Sequence, residues 1–185
     1  MKLCDLVEEV NNRAGQNHSL PVLSVTKHQG FVESGKYFKK RVFSEDTSDY
    51  KIVERGQFAY STIHLDEGAI GHLGNRDAGV ISPMYKVFRL KVSEDEVRSE
   101  FLFRILKSPT FVEKYKNLGK GSIKRRKSVA FDKFGSISVP LPPDDVQLKV
   151  VSQARAVLEL EIELEDSRAK LADEIEHMLK LAGLS

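Results

Sequence analysis

The stretch that decides how this chain is organised is Gly119–Asp145, GKGSIKRRKSVAFDKFGSISVPLPPDD. Its first part sets Lys124, Arg125, Arg126 and Lys127 side by side. Adjacent like charges repel one another, so such a run belongs either to a solvated loop or to a surface that binds a polyanion. Its last part alternates Ile137, Val139 and Leu141 with Ser136, Ser138 and Pro140. That is the period-two pattern of a strand, and its internal proline restricts it to an edge or terminal position. The pair Pro142–Pro143 then closes the body, and a segment of another kind follows.

From Asp144 to Ala182 there is no Gly or Pro, and Val150, Val157, Leu164, Leu171 and Met178 recur every seven residues. The spacing predicts one helix, about 58 Å long at 1.5 Å per residue, longer than the preceding body could cover. Such a helix needs a partner. The companion positions Ala154, Glu161, Arg168, Ile175 and Ala182 leave the middle of the stripe narrow and partly polar. An antiparallel pairing lets Glu161 and Arg168 meet across the seam. The expected interface is Val150, Ala154, Val157, Leu164, Leu171, Ile175 and Met178, and the alternative is a helix packed on its own body.

Upstream, LPVLSVT (Leu20–Thr26) is rich in β-formers and runs into the polar turn Lys27-His28-Gln29. YKIVERGQFAYSTI (Tyr50–Ile63) carries two apolar runs around Glu54-Arg55-Gly56, which reads as a hairpin or a tight strand connection. GVISPMYKVFRLKV (Gly79–Val92) puts Phe88, Leu90 and Val92 with Lys86 on one face, and Tyr85, Val87 and Arg89 on the other. The intervening DEGAIGHLGNRDAG reads as a loop. Two capping boxes, Ser93 with Glu96 and Thr110 with Glu113, predict helices over SEDEVRSEFLFRILKS and TFVEKYKNLG, the first with Val97, Phe101, Leu102 and Ile105 on one stripe. The expected fold class is therefore α+β: a mixed, mostly-β body with short helices over 1–143, then a long helix for coiled-coil pairing over 144–185.

Charge divides at the same boundary. The chain has 29 Lys/Arg and 27 Asp/Glu; residues 144–185 hold 5 and 10 of these, leaving 24 and 17 in the body. Within the body, KYKNLGKGSIKRRK (Lys114–Lys127) has seven basic residues and no acid, the local footprint of a phosphate-binding surface. No apolar run reaches the length of a membrane span, and the polar start MKLCDLVEEVNNR lacks the apolar core of a signal peptide. A cytoplasmic protein is expected. The lone Cys4 cannot form an internal disulfide.

Enzymatic readings find little to stand on. NLGKGS lacks the spacing and the Lys-Ser/Thr pair of a phosphate-binding loop, the five histidines show no zinc-type pairing, and no nucleophile elbow occurs. The expectation is no catalytic residue, no metal and no cofactor.

The order LPVLSVTKHQGFV, YKIVERGQFAYSTI, AGVISPMYKVF and GSIKRRKSVAFDKFGSISVPLPPDDVQ, running into a long helix, resembles the target recognition domain and helical region of type I restriction-modification specificity subunits. The resemblance covers the chain from about Leu3 onward. It implies a polypeptide with no activity of its own that selects DNA for separate methyltransferase and translocase-nuclease (restriction) subunits. Members carry two recognition domains and two helical regions in one chain, whereas this sequence has one of each and no internal repeat. It looks like a half-subunit. Two copies joined through their helices would restore a twofold reader of two inverted half-sites separated by unread DNA.

On that reading the partner is double-stranded DNA, with Lys120, Lys124, Arg125, Arg126 and Lys127 on phosphates and Arg125 or Arg126 reaching guanine. Base readers are sought where strands end: Lys27, His28 and Gln29, then Tyr60, Ser61 and His64. Gln29 suits adenine N6/N7, whereas Tyr60 equally suits the core and His64 an ordinary loop. Arg76 is a further contact unless Asp77 neutralises it. A competing reading is a coiled-coil assembly protein whose basic body binds acidic protein partners.

Overall fold

The computed structural model describes residues 1–16, 18–118 and 128–184. The chain forms two compact units, Met1–Gln147 and Leu148–Ser185.

The first unit is built on two four-stranded sheets. In the first, β1 (Val7–Val10), β8 (Tyr85–Leu90), β5 (Phe58–Ser61) and β6 (Ile70–His72) lie in that order and all pairs are antiparallel. In the second the order is β3 (Gly30–Glu33), β2 (Val22–Thr26), β7 (Ala78–Ile81), β4 (Lys51–Glu54), with β2 and β7 parallel. Alternation along β5 and β8 assigns their side chains to two cores. Phe58, Tyr60 and Phe88 pack with Leu3 and Leu6 of α1 (Leu3–Leu6), Leu102 and Leu106 of α3 (Ser99–Lys107), Tyr115 of α4 (Pro109–Tyr115) and Phe134 of α5 (Phe131–Gly135). Ala59 and Val87 face the other way, onto Leu23, Val25, Val53 and Ile81 of the second sheet. The first sheet is thus a middle layer between helices and the second sheet, and the predicted split of Phe88 from Val87 is what assigns its faces.

Several local expectations are corrected. Of the two readings of Glu54-Arg55-Gly56, the tight strand connection holds and the hairpin does not: the chain turns at Gly56, φ +82°, and β4 and β5 enter different sheets. The glycine-rich stretch contains β6, which lies so close to β3 that a β-carbon on Gly71 would come within 2.9 Å of the Phe31 ring. Ser93 Oγ does accept the Glu96 N–H (3.3 Å), but this closes only a turn. Extended Arg98 interrupts it, and α3 starts at Ser99, whose N–H and hydroxyl are both held by the Glu94 carboxylate. Likewise α4 starts before Thr110, with extended Ser108 as its cap and Pro109 in the first position, where the missing N–H costs nothing. The Ile137–Leu141 alternation forms no strand. It runs beside the N-terminus through Leu3 N–H to Ile137 O and Val139 N–H to Met1 O, both 2.9 Å, with one isolated bridge, Lys2 to Ser138.

The predicted long helix is α6 (Asp144–Leu181). Asp144 and Asp145 sit where the helix dipole favours negative charge, and left-handed Gly183 follows its end. The first turn belongs to the first unit, where Arg98 binds the Asp144 carboxylate at 2.6 and 2.9 Å. Beside it, buried Gln147 accepts from Arg98 N–H and donates to the Glu96 and Pro142 carbonyls, each at 3.0 Å.

Candidate nucleic-acid interface

Lys27, His28 and Gln29 form the exposed turn between β2 and β3. The turn is closed from within: Gln29 N–H donates to Thr26 Oγ1 (3.1 Å), whose hydroxyl donates to Gly30 O (3.3 Å). Gly30, at φ +64°, lies against Gly71 and Phe103, so the turn stands on β6 and α3. Its three side chains project from a fixed base.

The exit of β5 departs from expectation. Tyr60 is fully buried, its ring 4.6 Å from that of Phe134 and its hydroxyl donating to Val129 O at 3.1 Å. Burial pushes that hydroxyl's pKa well above its ordinary value. Ser61 is also buried. Tyr60 therefore offers a base no surface, while Ser61 keeps only an edge in the cleft between the sheets. His64 is exposed, with Nδ1 3.0 Å from Glu67 Oε1. Arg76 is paired not with Asp77 but with Glu33 at 3.5 Å, while Asp77 is taken by Arg55 at 2.8 Å.

Lys120, Lys124, Arg125, Arg126 and Lys127 lie outside the described residues. The flanks of their segment are described, and both are fastened at the β5 exit. Val129 N–H donates to Thr62 O at 2.8 Å, and α4 packs on the single 3₁₀ turn Leu65–Glu67 that follows His64.

Beside this exit a cleft of about 260 Å³ opens between the sheets, with Ser24, Tyr50 and Tyr85 inside and His64, Val42 and Met84 among its lining. Behind it Lys51 is almost fully buried, donating to Tyr85 O at 2.9 Å with Glu9 at 3.9 Å, and burial lowers its pKa. The cleft is lined by Val22, Leu23 and Ser24 of β2, whereas the Lys27–Gln29 turn follows the other end of that strand, about 13 Å from Val22 at 3.3 Å per residue. The structure therefore gathers His64 and the flanks of the basic segment at one place and leaves the turn at another.

Sequence reasoning missed a second cation-rich segment, KYFKKRVF (Lys36–Phe43), which begins in α2 (Ser34–Tyr37) and reaches this cleft at Val42 and Phe43. Its signal was legible: four cations interleaved with aromatic rings and no acid.

On α6, Val157, Leu164, Leu171, Ile175 and Met178 are all about half or more exposed, at 48–66%, while Val150 and Ala154 are partly exposed. Among the described residues no three His, Cys, Asp or Glu cluster as metal ligands, and no helix is long and apolar enough to cross a membrane.

No protein-family model and no curated protein matches the chain. Solved structures do resemble it. The HsdS subunit from Thermoanaerobacter tengcongensis aligns with TM-score 0.64 at 16% identity, over 98% of this chain and 47% of its own. The S subunit of the type I restriction-modification system from M. genitalium gives 0.56 at 17% identity, over 97% and 44%. A chain from a structure of type I R-M complex assembly and conformational transition gives 0.60 at 12% identity, over 96% and 42%. The chain thus has the α+β fold of these specificity subunits and spans less than half the length of each.

Proposed function

We propose that this chain is the DNA sequence-specificity component of a type I restriction-modification system, reading one half of a bipartite site. The observation that carries the reading is the likeness to specificity subunits over nearly the whole chain, body and helix alike. Basic Lys114–Lys127 and the exposed Lys27–Gln29 turn supply the two kinds of contact a reader needs, phosphate contacts that position and base contacts that specify. The component is not itself an enzyme. It works in the cytoplasm, recruiting methyltransferase and restriction subunits that carry out the chemistry. Two copies join as a homodimer through antiparallel α6 helices along the exposed Val157–Met178 stripe, and the site they read is an interrupted palindrome.

The test is selection of bound duplexes from a random pool by the purified full chain at moderate salt. An interrupted palindrome is expected. Binding that is indifferent to sequence and only weakly dependent on salt would favour the assembly protein with acidic partners instead.

A further inference from the structure

The segment Lys36–Phe43 has no role in the contacts assigned so far. Lys36 is held by Glu33 at 3.0 Å and Arg41 by Glu45 at 3.3 Å, while the Arg41 guanidinium lies 5.0 Å from the Phe43 ring centre. Lys39 and Lys40 are exposed and have no ion-pair or hydrogen-bond partner among the described residues. The same segment displays apolar surface. Of the large apolar side chains exposed on the first unit, Tyr37, Val42 and Met84 (46, 54 and 57%) belong to this segment or to the cleft it borders. Val42 and Met84 line the same cleft, and exposed apolar side chains brought together beside unpaired lysines mark an interaction site.

Resting on the DNA-reader function above, we infer that Lys36–Phe43 is a second DNA-contacting arm: Lys39 and Lys40 bind backbone phosphates while Val42, with Met84 across the cleft, packs on a thymine methyl group in the major groove. Val42, Met84 and His64 line one cleft, while Lys39 and Lys40 line a hollow that shares Phe43 with it. Cations beside apolar side chains match a groove, whose phosphates flank its base edges. The major groove offers one apolar group among those edges, the thymine C5 methyl, so apolar readers flanked by cations select an A·T pair. An acidic protein partner would satisfy the lysines as well, but it predicts no effect of replacing thymine by deoxyuridine.

The test uses the full chain and the duplex it selects, with variants Lys39→Ala/Lys40→Ala and Val42→Ala/Met84→Ala. All four positions are exposed or line an open cleft, so both variants should melt like the parent. The lysine variant is expected to weaken binding on every sequence and to lower the slope of log affinity against log salt by about 2. Replacing one thymine in the half-site by deoxyuridine should weaken the parent about fourfold, the worth of one methyl group removed from water. The apolar variant should bind both duplexes alike. An unchanged slope in the lysine variant, a selected half-site without an A·T pair, or a parent indifferent to deoxyuridine at every position would overturn the arm and leave the DNA-reader function standing. A parent with no salt-dependent DNA binding would overturn both.

Discussion

Tyr60 separates the two ways of reading this chain, because sequence allowed it to face either DNA or the core. Tyr60→Phe removes one oxygen and keeps the ring among Phe58, Phe88 and Phe134, so no sizeable cavity opens. The lost bond is the one from the hydroxyl to Val129 O, 3.1 Å long and buried. A net hydrogen bond is worth about 1 kcal/mol, and a buried carbonyl left short of its donor adds to the loss, giving about 1–2 kcal/mol. With a urea slope of about 2 kcal/mol/M for a unit of this size, the midpoint should fall by about 0.5–1 M. The chain has no Trp, five Tyr and ten Phe, so near-ultraviolet circular dichroism reports the packed body directly. Tyr115→Phe is the internal standard: that hydroxyl is also buried, donates to Leu106 O at 2.6 Å, and was never a candidate reader. Both variants should lose stability and keep the parent's preferred half-site. A Tyr60→Phe variant with unchanged midpoint and altered half-site would refute the core placement.

Gln147→Ala should cost about 2–4 kcal/mol, because one N–H and two carbonyls lose their shared partner in a buried place; a loss below about 1 kcal/mol in the same urea experiment would mean that water replaces it. Lys107 donates to Ile70 O and Gly68 O, and burial pushes its pKa down to about 8 from an ordinary 10.5. Between those values the unfolded chain binds more protons than the folded one, so this group makes stability rise with pH across that window and withdraws the gain as pH falls through 8. Above about pH 10 the buried hydroxyls of Tyr60 and Tyr115, whose pKa values are raised, oppose it, since only the unfolded chain can ionise them. Melting temperatures from pH 7.5 to 10 should therefore rise less for Lys107→Met than for the parent, and equal slopes would refute the assignment. Leu164→Asp with Leu171→Asp should convert a dimer to a monomer in sedimentation, and a parent that is monomeric at every concentration would exclude α6 as a homodimer seam.

What sequence could reveal divides by range. The β2 strand, the Lys27–Gln29 turn and the alternation that splits Phe88 from Val87 depend on neighbours within a few residues, and so does α6, found to within one residue of its end. Pairing does not. Glu54-Arg55-Gly56 has the composition of a hairpin turn, yet β4 pairs with β7 and β5 with β8, partners chosen by contacts far along the chain. β6 was hidden because the residue that lets it approach β3, Gly71, is one that composition assigns to loops. The capping boxes misled for a related reason. Ser93 makes the expected bond to Glu96, but Val97 is drawn fully into the core and the chain extends through Arg98 before a helix can form.

The layered fold also explains why strand ends were a poor guide to reading residues. Because the first sheet is covered on both faces, residues leaving β5 pass into packing before they reach water: Tyr60 and Ser61 are inside, and His64 is the first candidate from that strand to stand outside. Surface able to meet a nucleic acid must come from segments that escape the layers. Among the described residues they include the exposed β2–β3 turn and Lys36–Phe43, which begins inside the short helix α2 and continues as an irregular run. Segment 119–127 lies outside the described residues, and its flank at Val129 is fastened to the β5 exit through Thr62 and Tyr60. Tyr60 would therefore act on DNA only through the fastening of that flank, so losing its hydroxyl should lower affinity for every sequence and leave base preference unchanged.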